Sequence, residues 1–577
     1  MAETPRTAET AASAGEPRAA GARTGDAQSR RGGGLGASFD LRALRGLTTQ
    51  TWAAYLAGRR WFGAKAGWPR EVRVRDVVPL PWDSGVFALA RLEVTLADGR
   101  TVLYQLPLAA EPTPGAADAE QERATLADAP PHSAPPSQPE AGAAAGAGGA
   151  PRITPADIIA VFRSPAGDAV GALADATLDP AFRRGMADSF AGTGGGNTVF
   201  ESASGAVRWS FISESEKALV VPPNVPIRLG SAEQSNTSLL FDEEAILKLF
   251  RKLERGEQPD VEVTRFLTVQ AGFAHTPALL GTIEVEDAEG TAVAGMLQEF
   301  LPKSRDAWDF ALARARPYFD APRDEERPNE FLIEAERLGQ VTRELHDALA
   351  TGTSPEFVPE QAGAADVERW ANRTKQWIRD GLALLDRQLQ SKHLPRERTG
   401  EAQALLGRRE RYLGTVDEIV DALAGDAGER IRIHGDYHLG QVLRTASDDF
   451  MIIDFEGEPA RSLAERREKA SPLRDVAGML RSFAYAAATL GMNAGMLDVG
   501  TRELRIGRWE RDVREAFLRG YLATDDERGM LPETDAHTRA LLRLFETEKA
   551  FYELVYELNH RPAWTYIPMR GIAKLLA

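Results

Sequence analysis

The stretch IRIHGDYHLGQVLRTASDDFMIIDFEGEP, residues 431–459, limits what this chain can fold into more than any other part of it. Two short apolar runs, 431–433 and 450–453, read as strands, and each gives way to a polar cluster. The first runs into His434, Gly435 and Asp436, the second into Asp454, Phe455 and Glu456. An acid at the point where a strand becomes a loop is held firmly by the strand yet reaches solvent. The segment therefore predicts a strand, a polar loop and a hairpin that brings two acids to one rim.

Transfer of a phosphoryl group asks little covalent chemistry of a protein. It needs a carboxylate to accept the hydroxyl proton and oxygen ligands to hold Mg²⁺ on the phosphates. Asp436 is the candidate base. Gln441, five residues on, reaches the metal through its amide oxygen, and Asp454 binds it directly. Magnesium prefers hard oxygens and keeps substrate phosphates and waters in its shell, so two protein ligands suffice. Any one of these residues alone reads as a turn or helix cap, and it is their joint order that carries the chemistry. His434 and His438 read as hydrogen-bonding supports for the loop rather than proton carriers.

A chain of 577 residues exceeds what one hydrophobic core organises, so at least two lobes are expected. Residues 1–36 hold few large apolar side chains and read as a disordered tail. Residues 37–210 read as a small α+β unit with the motif RRWFGAK at 59–65, interrupted by a flexible Ala/Pro/Gly-rich insertion at 109–150. TVFESASGAVRWSFI, starting at Thr198, is expected to complete that unit. A strand–turn–strand unit follows within 211–302, and 303–577 is mostly helical, with segments at 331–350, 366–390, 402–424 and 540–559. No apolar run reaches the ~20 residues a spanning helix needs. A net charge of -16 argues against a general nucleic-acid binder, and the absence of cysteine removes disulfides and thiolate chemistry. No secretory leader is recognisable, so a cytoplasmic protein is expected.

A triphosphate also needs a cation and a covering loop. Lys248, in the strand AILKLF, is the candidate cation, and Glu262 at the start of the next helix is its expected partner. The loop GSAEQSNTS, residues 230–238, has a single glycine, so Ser231, Ser235, Asn236 and Thr237 are expected to offer hydroxyl, amide and backbone donors. MLQEFLP, residues 296–302, falls where a hinge between lobes belongs, and Glu299 and its neighbours are candidates for backbone contacts to adenine. Near the C-terminus, Phe551, Leu554, Val555 and Leu558 make one apolar helix face. Lys549, Tyr552, Glu553 and Tyr556 occupy the other, a mixture of rings, cation and carboxylate that suits a sugar.

On these residues the chain resembles the aminoglycoside and choline kinase branch of the protein-kinase-like fold, and within it the bacterial maltokinases. Gln441 where most of the branch has Asn, Glu456 where protein kinases have Gly, RRWFGAK, the 230–238 loop and the C-terminal stretch all follow the maltokinase pattern. The resemblance spans about 39–108 and 151–577. It implies a bilobal α+β fold with an N-terminal cap subdomain, a nucleotide-binding lobe and a helical lobe that binds the sugar. It further implies transfer of the ATP γ-phosphate to the anomeric hydroxyl of maltose, in α-glucan synthesis from trehalose, and association with trehalose synthase. A kinase of the same fold acting on glucosamine or an aminoglycoside stays open, as does a pseudokinase scaffold, although the latter predicts loss of Lys248, Asp436 or Asp454.

Overall fold

The computed structural model describes residues 44–62, 68–111, 157–163, 169–191, 197–215, 219–230, 235–322, 325, 327–459, 461–493, 498–524, 526 and 528–576. The tail at 1–36, most of the insertion and the end of RRWFGAK lie outside them. The insertion begins later than its composition suggests, because residues 109–111 still belong to a strand.

The first sheet contains β1 (Glu71–Leu80), β2 (Val86–Thr95), β3 (Thr101–Glu111), β4 (Ile158–Arg163) and β5 (Ala169–Asp175), in the order β1-β2-β3-β5-β4. Its strands carry the expected alternation, and one face packs on helix α1 (Thr49–Ala57) through Trp52, Tyr55, Leu56, Leu92 and Leu106. Helix α2 (Pro180–Asp188) starts on Asp179, whose carboxylate accepts from the N–H groups of Ala181 and Phe182.

The second sheet runs β6 (Thr198–Glu201), β7 (Arg208–Ser213), β12 (Leu279–Asp287), β13 (Gly290–Glu299), β10 (Ala245–Phe250), β9 (Asn236–Phe241), β8 (Arg228–Leu229). The hairpin β6–β7, which the sequence assigned to the N-terminal unit, instead extends this sheet. Ser213 to Arg208 pair with Gly281 to Glu286, and Trp209 and Phe211 bury against Leu239, Phe241 and Leu247. Strand β11 (Lys252–Leu253) pairs with β3 and ties the sheets together, and the Gln105 amide donates to the Phe250 carbonyl across the junction (2.7 Å). In β10, Leu247 and Leu249 enter the core while Lys248 takes the opposite face, as period-2 geometry requires. Helix α3 (Pro259–Arg265) follows.

The helical lobe holds α4 (Ala307–Asp320), α5 (Leu332–Leu349), α6 (Ala364–Gln390), α7 (Thr399–Leu406), α8 (Arg409–Leu423), α9 (Leu473–Asn493), α10 (Val499–Tyr521), α11 (Asp535–His560) and α12 (Tyr566–Leu575). One apolar core built from these helices fills the lobe. The segment predicted at 402–424 is two helices, broken at Gly407 and Arg408. Between α8 and α9 lies a small hairpin, β14 (Val442–Arg444) and β15 (Phe450–Ile452). The strand expected at 431–433 does not form. Ile431 makes only an isolated bridge to Ala470, because Arg432 turns inward to pair with Glu262 and the chain bends at Gly435, φ 84°.

Candidate active site

The loop from His434 to Gln441 is fixed by one buried carboxylate that the sequence did not single out. Asp475, at the start of α9, accepts from the backbone N–H groups of His434 (2.7 Å) and Gly435 (2.9 Å) and lies 3.2 Å from His346 Nε2. Burial opposes its charge, but His346, His434 and the backbone donors hold its carboxyl below the usual range. Both motif histidines support the loop, as expected. His434 Nε2 donates to the Ile453 carbonyl (3.0 Å), joining the loop to the second acid cluster, and His438 Nδ1 accepts from the Gly440 N–H (3.1 Å). Burial keeps His438 neutral against the pull of Asp436. Gly478 of α9 passes so close that a Cβ there would lie 2.6 Å from the Tyr437 carbonyl oxygen.

Across the interlobe cleft, Lys248 sits partly buried among three carboxylates. Its Nζ lies 2.5 Å from Asp454, 2.6 Å from Glu456 and 2.9 Å from Asp260. Burial alone would discharge the ammonium, yet the three acids raise its pKa well above the usual lysine value. Lys248 lowers Asp454 in turn, whereas burial pushes Glu456 up. The Gln441 amide donates to the other Asp454 oxygen (2.8 Å), so the two expected metal ligands do converge. Asp454 adopts a left-handed backbone, φ 69°, a conformation costing about 1–3 kcal/mol and characteristic of functional turns. Oxygens of Asp260, Asp454 and Glu456 lie within 4.8 Å of one another, a hard donor set compatible with a divalent cation.

The partner of Lys248 is a correction. Asp260, not Glu262, reaches it, because residues two apart on a helix face different ways. Glu262 turns to Arg432 (2.9 Å) and Arg467 (2.6 Å). The covering loop is also only partly as expected. Asn236 donates to Glu456 (2.7 Å) and to Ser235 Oγ (3.1 Å), which places both beside the lysine. Thr237 is instead fully buried and accepts from Arg251 Nε (2.8 Å), on the core face of β9. Ser231 lies outside the described residues. Glu299 closes β13 with an exposed side chain, and its backbone N–H is spent on the Ala278 carbonyl (2.9 Å).

Asp436 opens into a second, solvent-open cleft on the helical side. Lys549 of α11 spans it, 3.1 Å from Glu458 and 3.4 Å from Asp436. Burial opposes that ammonium too, and Glu458 and Asp436 keep it charged. Lys549 and Arg461 lower Glu458 to about 2 against the effect of burial. Glu548 takes Arg474 through both oxygens (3.0 Å each) and Arg373 at 3.0 Å. The Trp377 and Tyr552 rings meet edge to face, 5.2 Å between centroids, as the aromatic wall.

Of the helix face proposed for a sugar, Lys549 and Tyr552 line this cleft and the other two residues do not. Glu553 is buried against Arg481 of α9 (2.7 Å), and Tyr556 is exposed, its ring against His560. The helix repeat explains the split, since Glu553 is rotated from Lys549 toward the α9 side. Sequence reasoning missed Arg373, Trp377, Glu458, Arg461, Arg474 and Glu548. Only Glu458 and Arg461 carried a signal, their closeness to the second acid cluster.

Residues 227–532 match the phosphotransferase enzyme family, and residues 55–133 match the maltokinase N-terminal cap domain. The chain is 26% identical over 347 residues to a glucosamine kinase from Streptacidiphilus jiangxiensis, covering 60% of this chain and 72% of that one. A glucosamine kinase from Mycolicibacterium smegmatis is 27% identical over 348 residues, covering 60% and 78%. Among solved structures, glucosamine kinase in complex with glucosamine, ADP and inorganic phosphate aligns with TM-score 0.56 at 19% identity, over 91% of this chain and 99% of that one. A second crystal form of glucosamine kinase gives TM-score 0.57 at the same identity. At that identity the likeness speaks for the fold, a bilobal kinase-like architecture with a capped N-terminus. With the family match spanning more than half of its length, this chain belongs to the phosphotransferase enzyme family and carries an N-terminal cap domain of the maltokinase type.

Proposed function

We propose that the protein is an ATP-dependent kinase of a neutral sugar, transferring the γ-phosphate to the anomeric hydroxyl of maltose. The observation that carries the neutral acceptor is the charge balance of the cleft around Asp436. Four cations and four carboxylates line it: Arg373, Arg461, Arg474 and Lys549 against Asp436, Glu458, Asp475 and Glu548. Glu458 and Glu548 are held by those cations, and Asp475 by backbone N–H groups. Only Asp436 retains capacity, and a base must keep it for the hydroxyl proton. Apart from Asp436, an aminosugar's ammonium finds no uncommitted carboxylate among the lining residues, whereas sugar hydroxyls bond readily to paired ions, and Trp377 and Tyr552 cover an apolar ring face.

In this reading Asp436 takes the acceptor proton, and Lys549 fixes that carboxylate and contacts the sugar. Lys248 holds the triphosphate, with Ser235 and Asn236 at its edge. Gln441 and Asp454 are the residues that would hold Mg²⁺, which when bound neutralises charge on the transferring phosphate. The cap-domain match supports maltose and, with it, a place in trehalose-linked α-glucan synthesis, association with trehalose synthase and a cytoplasmic location. No helix among the described residues is long and apolar enough to cross a membrane. The names of the relatives favour glucosamine as the second reading. Phosphorus NMR of the product formed from maltose and Mg-ATP tests the proposal: an acid-labile anomeric phosphate supports it, and a product with glucosamine alone overturns it.

A further inference from the structure

Lys248 and Asn236, two donors that the proposed function gives to the triphosphate, are both engaged by one carboxylate oxygen. Glu456 Oε1 takes the Lys248 ammonium at 2.6 Å and accepts from the Asn236 amide at 2.7 Å. The donors stand on the neighbouring strands β10 and β9, whereas Glu456 follows β15 in the helical lobe. None of the three is sealed in a core: the Lys248 side chain is 19% exposed, that of Glu456 15%, and Asn236 is partly exposed. Asp454 adds a second carboxylate on the same ammonium.

The backbone around Glu456 is tied on both sides. The Phe455 N–H donates to Asp260 (2.8 Å), and the Glu456 carbonyl accepts from Arg466 (3.2 Å). Freeing Lys248 and Asn236 therefore asks for rotation of the Glu456 side chain, not for movement of its segment. A carboxylate in this place acts on a phosphate as a competing anion. It occupies the donors, and its charge repels the polyphosphate at contact distance. Metal-free ATP, a polyanion, meets Glu456, Asp454 and Asp260 with one ammonium to offset them. A divalent cation carried on the phosphates removes that penalty, because oxygens of the three acids lie within 4.8 Å of one another and suit a hard cation.

We propose that Glu456 makes this site select the metal complex of the nucleotide over the free nucleotide, holding Lys248 and Asn236 until a divalent cation arrives with the phosphates, a role that rests on the kinase reading above.

Titration calorimetry on the full chain decides the matter, with ATP in EDTA, Mg-ATP and adenosine titrated into wild type and Glu456→Gln. Glutamine keeps the shape and an oxygen for Asn236 but gives up the charge. The variant should bind metal-free ATP about tenfold more tightly than wild type, while its affinity for Mg-ATP does not rise. Adenosine has no phosphate and should bind both proteins alike. Metal-free ATP bound no better by the variant overturns the proposal, and wild-type binding of Mg-ATP in the same series leaves the kinase reading standing. A parallel gain for both forms of ATP overturns it as well, because the carboxylate would then hinder the nucleotide without discriminating. So does a change for adenosine as large as that for ATP, the mark of a general structural effect. Failure of wild type to bind any of the three ligands removes the kinase reading and the proposal together.

Discussion

Two lysines flank the cleft, and their surroundings differ in a way that, under the proposed function, separates nucleotide from acceptor. Lys248 meets three carboxylates, so acids outnumber the cation in its nest. Lys549 sits in a cleft where four cations balance four carboxylates. Each lysine is partly buried and kept charged by its acids, so burial does not distinguish them. The surplus does. An acidic nest built of hard oxygens draws a divalent cation and tolerates the phosphates that come with it. A balanced cleft has no net charge to offer and recognises hydroxyls and ring faces. Asp436 stands where the second cleft begins, joined to the first through His434 and the Ile453 carbonyl.

The sharpest way to break this division is at the shared edge. Asp436→Asn removes the proton acceptor while keeping its shape, and should lower kcat by about 10²–10⁴-fold with the melting temperature little changed. Turnover near wild type would move the base elsewhere. Asp454→Ala should weaken Mg-nucleotide affinity on the order of 10–100-fold while leaving acceptor KM alone, read by calorimetry and kinetics together. Lys549→Ala should do the reverse, raising acceptor KM from a few-fold to about a hundredfold with the KM for ATP unchanged. Tyr556→Ala, one turn beyond Tyr552 and exposed, should leave both constants unaltered.

A separate effect concerns stability. Glu458 titrates near 4.5 when unfolded and at about 2 in place, so its ionised form stabilises the fold above pH 4.5. That contribution, about 3 kcal/mol from the displacement in pKa, fades as pH falls from 4.5 toward 2. Glu458→Gln should flatten the loss of stability over this window. An unchanged acid-unfolding curve would mean that the Lys549–Glu458 pair contributes nothing.

The clustering of polar residues at 431–459 was legible because they are close in sequence. Gln441 and Asp454 meet across one hairpin, and no long-range packing is needed to bring them together. The helices were legible by periodicity, and 332–349 and 364–390 came within two residues of expectation. What failed depended on partners distant in the chain. Asp260 and Glu262 are equally plausible acids in a first helical turn, and only Arg432, some 170 residues on, decides which is left for Lys248. The β6–β7 hairpin carries the alternation of any half-buried pair, and nothing local tells it to pair with β12 rather than the first sheet. Asp475, Arg373 and Glu548 read as ordinary helix charges until the fold turns them into one wall.

The central claim is that the acceptor cleft, being charge-balanced, takes a neutral sugar while the acidic nest takes metal and nucleotide. The direct measurement is ADP release with acceptor varied, maltose against glucosamine, at saturating Mg-ATP. The account predicts a higher kcat/KM for maltose. A clear preference for glucosamine would contradict it, because the ammonium would then have found a carboxylate that the balance of the cleft leaves no room for.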